Sequence, residues 1–443
     1  MSVTTNILKP QQKVHTTSSR VLVEVEMFLG GGGQGEVFKA KMSGKPVALK
    51  WYFATSATPE QRKALDELVR SGAPSDTFLW PMELCEEKGV QGYGYVMPLR
   101  EKRFRGIVDI FFRRSEPSMR VLATTCMNMA DTFMQLHARG LCYRDISHGN
   151  VFFDEKTGDV LICDCDNVGV TGSSYTGVTG TSGYTAPEIE RREGLPSTYT
   201  DLHSLAVLMF KILMMHHPLE GIRETAIKCF DVPAREKLYG WDPLFIFDPT
   251  DRSNKPDIRY HQAVLNFWPL YPTFIRELFT KAFTTGLKDP KNGRVRESEW
   301  RAAMAKLRDS IIYCSCGAES FYDADALKAS GGKAPTCWSC KAELRIPARI
   351  RVGRHVVMLN HDTKLFPHHL VDDRLYDFST PLGEVTQNPS NPSQWGIKNL
   401  SKDKWQITLT DGSTKEVEPG RSVPLGVGIK VKFDAKTEGE IRM

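Results

Sequence analysis

The chain has 443 residues, an apolar share of 41% and a formal net charge of +5. That length allows two or three domains, one of them large enough for a two-lobed core. So small a charge predicts neither nucleic acid nor an anionic membrane as partner. The longest apolar stretch, Leu202–Met215, is interrupted by His203, Ser204 and Lys211 and is too short to span a bilayer. Met1–Ser19 is polar and reads as no export signal, so the ten cysteines are expected as thiols or metal ligands and the location as cytoplasmic.

The first patterned segment is the alternating run Val21–Met27, followed by Leu29-Gly30-Gly31-Gly32-Gly33-Gln34-Gly35-Glu36-Val37. Read as G-x-G-x-x-G-x-V, the required glycines are Gly30, Gly32 and Gly35, with Val37 behind them. Residues without Cβ let backbone amides lie close over triphosphate oxygens. By itself the run is equally a glycine-rich turn between two strands. The next strand carries Val47-Ala48-Leu49-Lys50, where a lysine at this distance from the glycines would grip phosphate oxygens. The segment 59–72 has helical periodicity after a proline start and offers two carboxylates for Lys50, Glu60 and Glu67. Glu67 is favoured, because Phe78-Leu79-Trp80 follows it as the start of a strand.

Further on, Tyr143-Arg144-Asp145-Ile146-Ser147-His148-Gly149-Asn150 puts a candidate base five residues before an amide. Fourteen residues past Asn150, Asp164 closes the apolar run Val160-Leu161-Ile162-Cys163. A base, a metal-binding amide and a metal-binding carboxylate in this order are what phosphoryl transfer from Mg-ATP requires.

With these motifs in order, residues 21–312 resemble a eukaryotic-type Ser/Thr protein kinase, with residues 1–20 as an N-terminal extension. The resemblance implies a two-lobed fold of mixed α and β structure. It implies that Asp145 orients and accepts the proton of a substrate protein's hydroxyl, and that Asn150 and Asp164 hold Mg²⁺ (or Mn²⁺) at the phosphates. Tyr95-Val96-Met97-Pro98-Leu99 resembles the hinge, so Ala48, Met97 and Leu99 would line the ATP site. Gly180-Thr181-Ser182-Gly183-Tyr184-Thr185-Ala186-Pro187-Glu188 matches G-T-x-x-Y-x-A-P-E, in which Thr181 would contact Asp145. Asp201 matches the buried aspartate of a long helix, and Arg294 is the expected partner of Glu188.

The departures are specific. The D-F-G slot reads Asp164-Cys165-Asp166, with Asp166 expected to face solvent. Tyr143 replaces the histidine of H-R-D, Ser71 stands where an apolar residue is usual, and Ser147 replaces a lysine, leaving His148 to meet phosphate charge. Arg144 beside Asp145 implies a phosphorylated activation segment as its anion. Ser173, Ser174, Tyr175, Thr176 and Thr179 are the available acceptors, with Thr176 and Thr179 favoured. The loss of the aromatic and glycine from D-F-G also leaves open an ATP-binding scaffold without turnover.

After residue 312 the composition changes. Cys314-Ser315-Cys316-Gly317 and Cys337-Trp338-Ser339-Cys340 are two close pairs with the arithmetic of a structural zinc ribbon, assigned to 313–346. His355, His361, His368 and His369 read as surface or packing residues. From 347 to 443 the period is two, and Asp411-Gly412 between short apolar runs signals a hairpin. An all-β sandwich is expected, with the polar stretch Gln387–Ser393 as a long loop. The order Asn399-Leu400, Gly420-Arg421-Ser422-Val423-Pro424-Leu425, Gly428-Ile429-Lys430-Val431 resembles a forkhead-associated (FHA) domain, with Gly353-Arg354 as the one match to its phosphate-binding loop. The combination resembles bacterial kinases of tellurite-resistance and stress systems, which implies a von Willebrand A-type protein and a PP2C-type phosphatase as partners.

Overall fold

A computed structural model describes residues 6–173 and 180–443. The chain divides into two units: one comprises Met1–Pro117, Thr125–Val264 and Leu278–Arg301, the other Ser118–Thr124, Leu265–Glu277 and Ala302–Met443. Among the described residues no helix is long and apolar enough to cross a membrane.

The first unit begins with a closed barrel of strands β1 (Lys13–Thr16), β2 (Leu22–Gly31), β3 (Gly35–Met42), β4 (Lys45–Tyr52), β5 (Glu83–Glu86) and β6 (Gly94–Pro98), in the order β1-β2-β3-β4-β6-β5. Period-two alternation divides β4 between two cores. Val47, Leu49 and Trp51 pack inside the barrel with Val23, Val25 and Phe38. Ala48 and Tyr52 join the second core with Leu65, Tyr95 and Met97. Between β4 and β5 runs helix α1 (Pro59–Ser71), capped by the Thr58 hydroxyl on the Gln61 amide and ended by Gly72 at φ 67°. Its buried side chains are Leu65 and Leu68.

Beyond the barrel lie β7 (Phe104–Gly106), α2 (Met119–His137), β8 (Leu141–Cys142), β9 (Val151–Asp154), β10 (Val160–Ile162), β11 (Gly169–Val170) and α3 (Thr198–Met214). The sheet β10-β9-β7 is antiparallel, as is the pair β11-β8. Ser197 and Thr200 close the start of α3 with a capping box. This helix is buried along almost its whole length, Asp201 included.

Within the second unit, β12 (Ile311–Tyr313) pairs with β13 (Glu319–Phe321). Ile311 and Ile312 are buried residues of this strand pair. Two antiparallel sheets follow, of β14 (Arg349–Val352), β15 (His355–Met358), β16 (Lys364–Leu365), β17 (Gly383–Asn388), β18 (Asn391–Asn399), β19 (Trp405–Thr408), β20 (Thr414–Val417), β21 (Ser422–Pro424), β22 (Lys430–Lys432) and β23 (Glu438–Arg442). They run β15-β14-β23-β22-β19-β20 and β16-β17-β18-β21 around a core of Ile350, Ile397, Trp405, Val431 and Ile441. The expected loop Gln387–Ser393 is instead a hairpin: only Pro389 and Ser390 lie outside the strands, and a register shift at Gln387/Asn388 absorbs the irregular pairing.

Candidate active site

The glycine run forms the end of β2 and the turn into β3, closed by the Gly32 amide on the Gly35 carbonyl at 2.9 Å. Gly35 is required there: a Cβ would sit 2.2 Å from the carbonyl oxygen of Trp51. A Cβ on Gly30 or Gly32 would meet nothing within 4 Å, so their backbone stays open on that side.

Strand register assembles the rest of this face. Val37 pairs with Lys50, Lys50 with Tyr95, and Ala48 with Met97. Ala48 and Met97 are buried in one apolar cluster, with Val37, Leu99 and Leu161 packed against it. That brings together the apolar residues expected around an adenine, and adds Leu161, a position the sequence reading passed over.

Lys50 departs from expectation. Its Nζ lies 2.7 Å from Asp166 Oδ2 and 3.6 Å from Asp164 Oδ1. Glu67 is exposed on α1, as is Glu60, and neither holds Lys50. The reason is helical phase. Gln61, Leu65 and Leu68 share the inward face at i, i+4 and i+7, whereas Glu67 is about 200° round from Leu65.

Asp166 does not face solvent; it is 2% exposed, in a 3-10 turn over Cys165–Asn167. Besides Lys50, it accepts a bond from the Tyr52 hydroxyl and one from the Tyr95 hydroxyl at 3.2 Å. Burial opposes its charge, but Lys50 and these bonds hold its carboxyl below the ordinary range. Burial likewise opposes the charge of Lys50, and Asp166 and Asp164 outweigh it, raising the lysine's pKa. Burial and then Asp166 raise both tyrosines, which keeps their hydroxyls protonated as donors. Alternation puts Lys50 and Tyr52 on one side of β4, so these inward polar residues were the available sequence signal for a buried anion.

The loop from Tyr143 to Asn150 hangs on α3. Asp201 accepts the backbone N–H groups of Tyr143 and Arg144, the latter at 2.9 Å. Tyr143 donates its hydroxyl to the Cys163 carbonyl, tying this loop to the end of β10. Arg144 and Asp164 both have left-handed backbone, at φ 76° and 48°. Such strain in non-glycine residues costs about 1–3 kcal/mol each and collects at functional sites.

Asp145 is fixed from two sides. Thr181 Oγ1 donates to its Oδ1 at 2.7 Å, and Asn150 Nδ2 to its Oδ2 at 2.9 Å. A second bond from Asn150 Nδ2, to the Asp145 carbonyl at 2.9 Å, fixes the amide so that Oδ1 could face a cation. The Asp164 side chain remains 42% exposed, available to a cation. This donor set suits Mg²⁺, which takes one or two protein oxygens and keeps its other places for phosphate and water.

Ser147 is buried, and His148 bonds within the protein. Its Nδ1 bonds the Tyr184 hydroxyl at 2.8 Å, and burial followed by Lys211 lowers its pKa. Arg144 reaches Ser173 Oγ at 3.0 Å. Thr176 and Thr179 lie outside the described residues. Arg294 grips Glu188 in two parallel bonds of 2.8 and 2.7 Å.

In the second unit, two tight turns present the four cysteines. The Gly317 amide bonds the Cys314 carbonyl at 2.9 Å, and the Lys341 amide bonds that of Cys337 at 3.0 Å. All four sulfurs lie within 4.8 Å of one another, with Cys314–Cys340 at 3.5 Å and Cys316–Cys337 at 3.8 Å. A tetrahedron with Zn–S bonds of about 2.3 Å has edges of about 3.8 Å, so the set fits zinc.

Asp309, His368 and His369 form another close group. Here Nδ1 of His369 accepts the Phe366 amide at 2.9 Å, and Nδ1 of His368 that of Tyr376 at 2.8 Å. A neutral imidazole has one lone pair, so both Nε2 atoms carry hydrogen and are donors, not metal ligands. His369 Nε2 accordingly meets Asp309 Oδ1 at 3.2 Å.

Residues 23–251, over half of the chain, match the protein kinase domain family, and the chain belongs to that family. It is similar to the probable L-type lectin-domain containing receptor kinase VII.2 of Arabidopsis thaliana, 27% identical over 221 residues, covering 46% of this chain and 31% of the relative. A probable serine/threonine-protein kinase of Dictyostelium discoideum is 24% identical over 211 residues, covering 45% and 15%. The mitogen-activated protein kinase kinase kinase 7 of Drosophila melanogaster is 26% identical over 204 residues, covering 44% and 28%. The chain thus spans less than a third of the length of each of these relatives.

Proposed function

We propose that this chain is a Ser/Thr protein kinase that transfers the γ-phosphate of Mg-ATP to hydroxyls of a protein substrate. The observation that carries the reading is Asp145, held between Thr181 and Asn150 with Asp164 and Lys50 at the same site. Bound Mg-ATP would supply the phosphoryl group and the charge that neutralises its transfer. Asn150 Oδ1 and Asp164 would hold the cation, Lys50 the phosphates, and the glycine turn the triphosphate from above. Asp145 would orient the incoming hydroxyl and take its proton.

The test is mass spectrometry of the full chain after incubation with Mg-ATP, beside Asp145→Asn. Added phosphate on Ser or Thr residues of the wild type, absent from the variant, is the expected result; Thr176 and Thr179 are the favoured acceptors. ATP binding without phosphate transfer to the chain or to a generic protein substrate would favour the alternative, a nucleotide-binding scaffold. Cys165 and Ser147, in place of the usual aromatic and lysine, motivate that alternative.

For the second unit the reading is a structural zinc ribbon on Cys314, Cys316, Cys337 and Cys340, followed by an FHA-like sandwich that docks a substrate or partner. The two-sheet architecture supports the sandwich part, and a cavity of about 1280 Å³ beside β18 and β21 supports docking. Its charged lining includes Arg345, Lys398 and Arg421 and no carboxylate. A von Willebrand A-type protein and a PP2C-type phosphatase are the partners proposed, in the cytoplasm. Co-purification with the full chain, lost in Arg421→Glu, tests this; capture unaffected by that change removes the groove from the proposal.

A further inference from the structure

Lys50 needs a fixed anion, because an unpaired ammonium that is 6% exposed would be strongly unfavourable. The resemblance supplies that anion from helix α1, yet the inward face of α1 carries Gln61, Leu65 and Leu68 and no carboxylate. The anion present is Asp166, two residues past the proposed cation ligand Asp164 in the chain.

Three donors from two strands converge on Asp166: Lys50 and Tyr52 of β4 and Tyr95 of β6. The paired register of Lys50 with Tyr95 sets this geometry, so it does not depend on where α1 sits. Moving Lys50 to Glu67 instead would require α1 to turn by about half a revolution. That rotation would take Leu65 and Leu68 out of their buried places. It would break the bond of 2.9 Å from Trp80 Nε1 to the Leu68 carbonyl and that of 3.4 Å from Gln61 Nε2 to the Tyr52 hydroxyl. It would also leave Asp166 as a buried anion with two phenols and no cation, a loss that a buried carboxylate does not tolerate.

We propose that Asp166 is the positioning residue for Lys50 in the working site, replacing the helix carboxylate of the family pattern. Two consequences follow. Rotation of α1 does not switch this site on or off, and the grip on phosphate depends instead on the start of the activation segment, the stretch that also carries Asp164. The inference rests on the kinase reading for its chemistry, while its geometry concerns only Lys50 and its anion.

The experiment compares binding of ATP and of adenosine to the full chain by titration calorimetry, with phosphotransfer measured alongside. The variants are Asp166→Asn, Glu60→Gln, Glu67→Gln and Lys50→Met. Adenosine lacks phosphates, so the ratio of the two affinities reports the grip of Lys50 and is insensitive to general loosening. Asp166→Asn is expected to cut that ratio by about tenfold and turnover by about a hundredfold, with Lys50→Met giving a loss of the same kind. Glu60→Gln and Glu67→Gln should remain within about twofold of wild type, as exposed side chains do. A fall in the ratio for either glutamate variant comparable to Lys50→Met overturns the proposal. So does a folded Asp166→Asn that keeps both ratio and turnover. Should Asp166→Asn fail to fold, the two exposed glutamates decide the matter alone. A wild type that binds ATP but transfers no phosphate counts against the kinase reading, and the affinity ratios still judge Asp166.

Discussion

The Thr181 hydroxyl donates to Asp145 Oδ1 at 2.7 Å across 36 residues of chain, and this bond ties the activation segment to the proposed base. With Asn150 holding the other carboxylate oxygen, neither lone-pair set of Asp145 is free to wander. A general base works only when its oxygen is in reach of the proton it takes. Thr181→Ala should therefore lower kcat by about 10- to 100-fold with little change in the KM for ATP, while Thr181→Ser retains most activity. Steady-state kinetics checks this; an unchanged kcat for Thr181→Ala would separate the bond from the chemistry.

His137 makes a pH prediction with a definite sign. The side chain is 7% exposed and lies between Asp201, 3.0 Å from Nε2, and Glu297 on Nδ1. Burial disfavours its charge, but the two carboxylates prevail and raise its pKa from 6.5 to about 9. A raised folded-state value means that the unfolded chain releases the proton first as pH increases. The stabilisation is thus complete below about pH 6.5, declines above it, and is gone once pH passes about 9. Because Asp201 also carries the backbone of Tyr143 and Arg144, loss of this charge should loosen the catalytic loop. Thermal melting between pH 6 and 10 should show an alkaline decline that His137→Gln flattens; the same slope in both proteins would point to other groups.

The pair of Arg294 and Glu188 predicts a large stability effect with no direct chemical role. The guanidinium is 2% exposed and gives two further bonds to the carbonyls of Tyr199 and Gly286. Glu188→Ala would leave a buried cation without its anion, at a cost of about 3–5 kcal/mol. Arg294→Lys should also be destabilising, since an ammonium cannot reproduce two parallel bonds and two carbonyl contacts. Chemical denaturation of the full chain measures both. A shift below about 1 kcal/mol in Glu188→Ala, the scale of an exposed pair, would contradict the burial argument.

Much of the first unit was legible because its determinants are local. Glycine spacing, the proline start of α1 and the run before Asp164 each announce a backbone shape within a few residues. The partner of Lys50 was not legible in that way. Asp166 lies 116 residues from Lys50, and nothing in Asp164-Cys165-Asp166 says which carboxylate turns inward. The decision is made by Tyr52 and Tyr95, whose hydroxyls need an acceptor once the strands pair. The distance of Glu67 from Phe78-Leu79-Trp80 favours it, but such a distance is blind to helical phase. In the second unit, the polarity of Gln387–Ser393 predicts a loop, yet an exposed hairpin buries little side chain and tolerates that composition.

Zinc removal gives the last prediction. Around the four cysteines the buried residues are Ile312, Cys314, Cys337, Leu344 and Met358, with Ala318, Tyr322 and Ile346 partly covered. Two members of this small core are themselves proposed ligands, so the apolar burial left without them cannot offset the entropy of ordering two turns and a two-stranded sheet. A metal bond network would replace the missing core, as it does in small domains generally. The purified chain is expected to carry about one zinc, released by a strong chelator or by a thiol-modifying mercurial and detected with a metallochromic dye. Cys337→Ser, at the most buried of the four cysteines, should abolish retention and open both cysteine turns to proteolysis. If the chain holds no zinc after expression with the metal supplied, and all four thiols react freely without change in proteolysis, the four sulfurs are only packed together. Because the first unit has its own barrel and helical core, ATP affinity should be unaffected by the chelator; a matching loss of ATP binding would make the cysteine module part of the catalytic support.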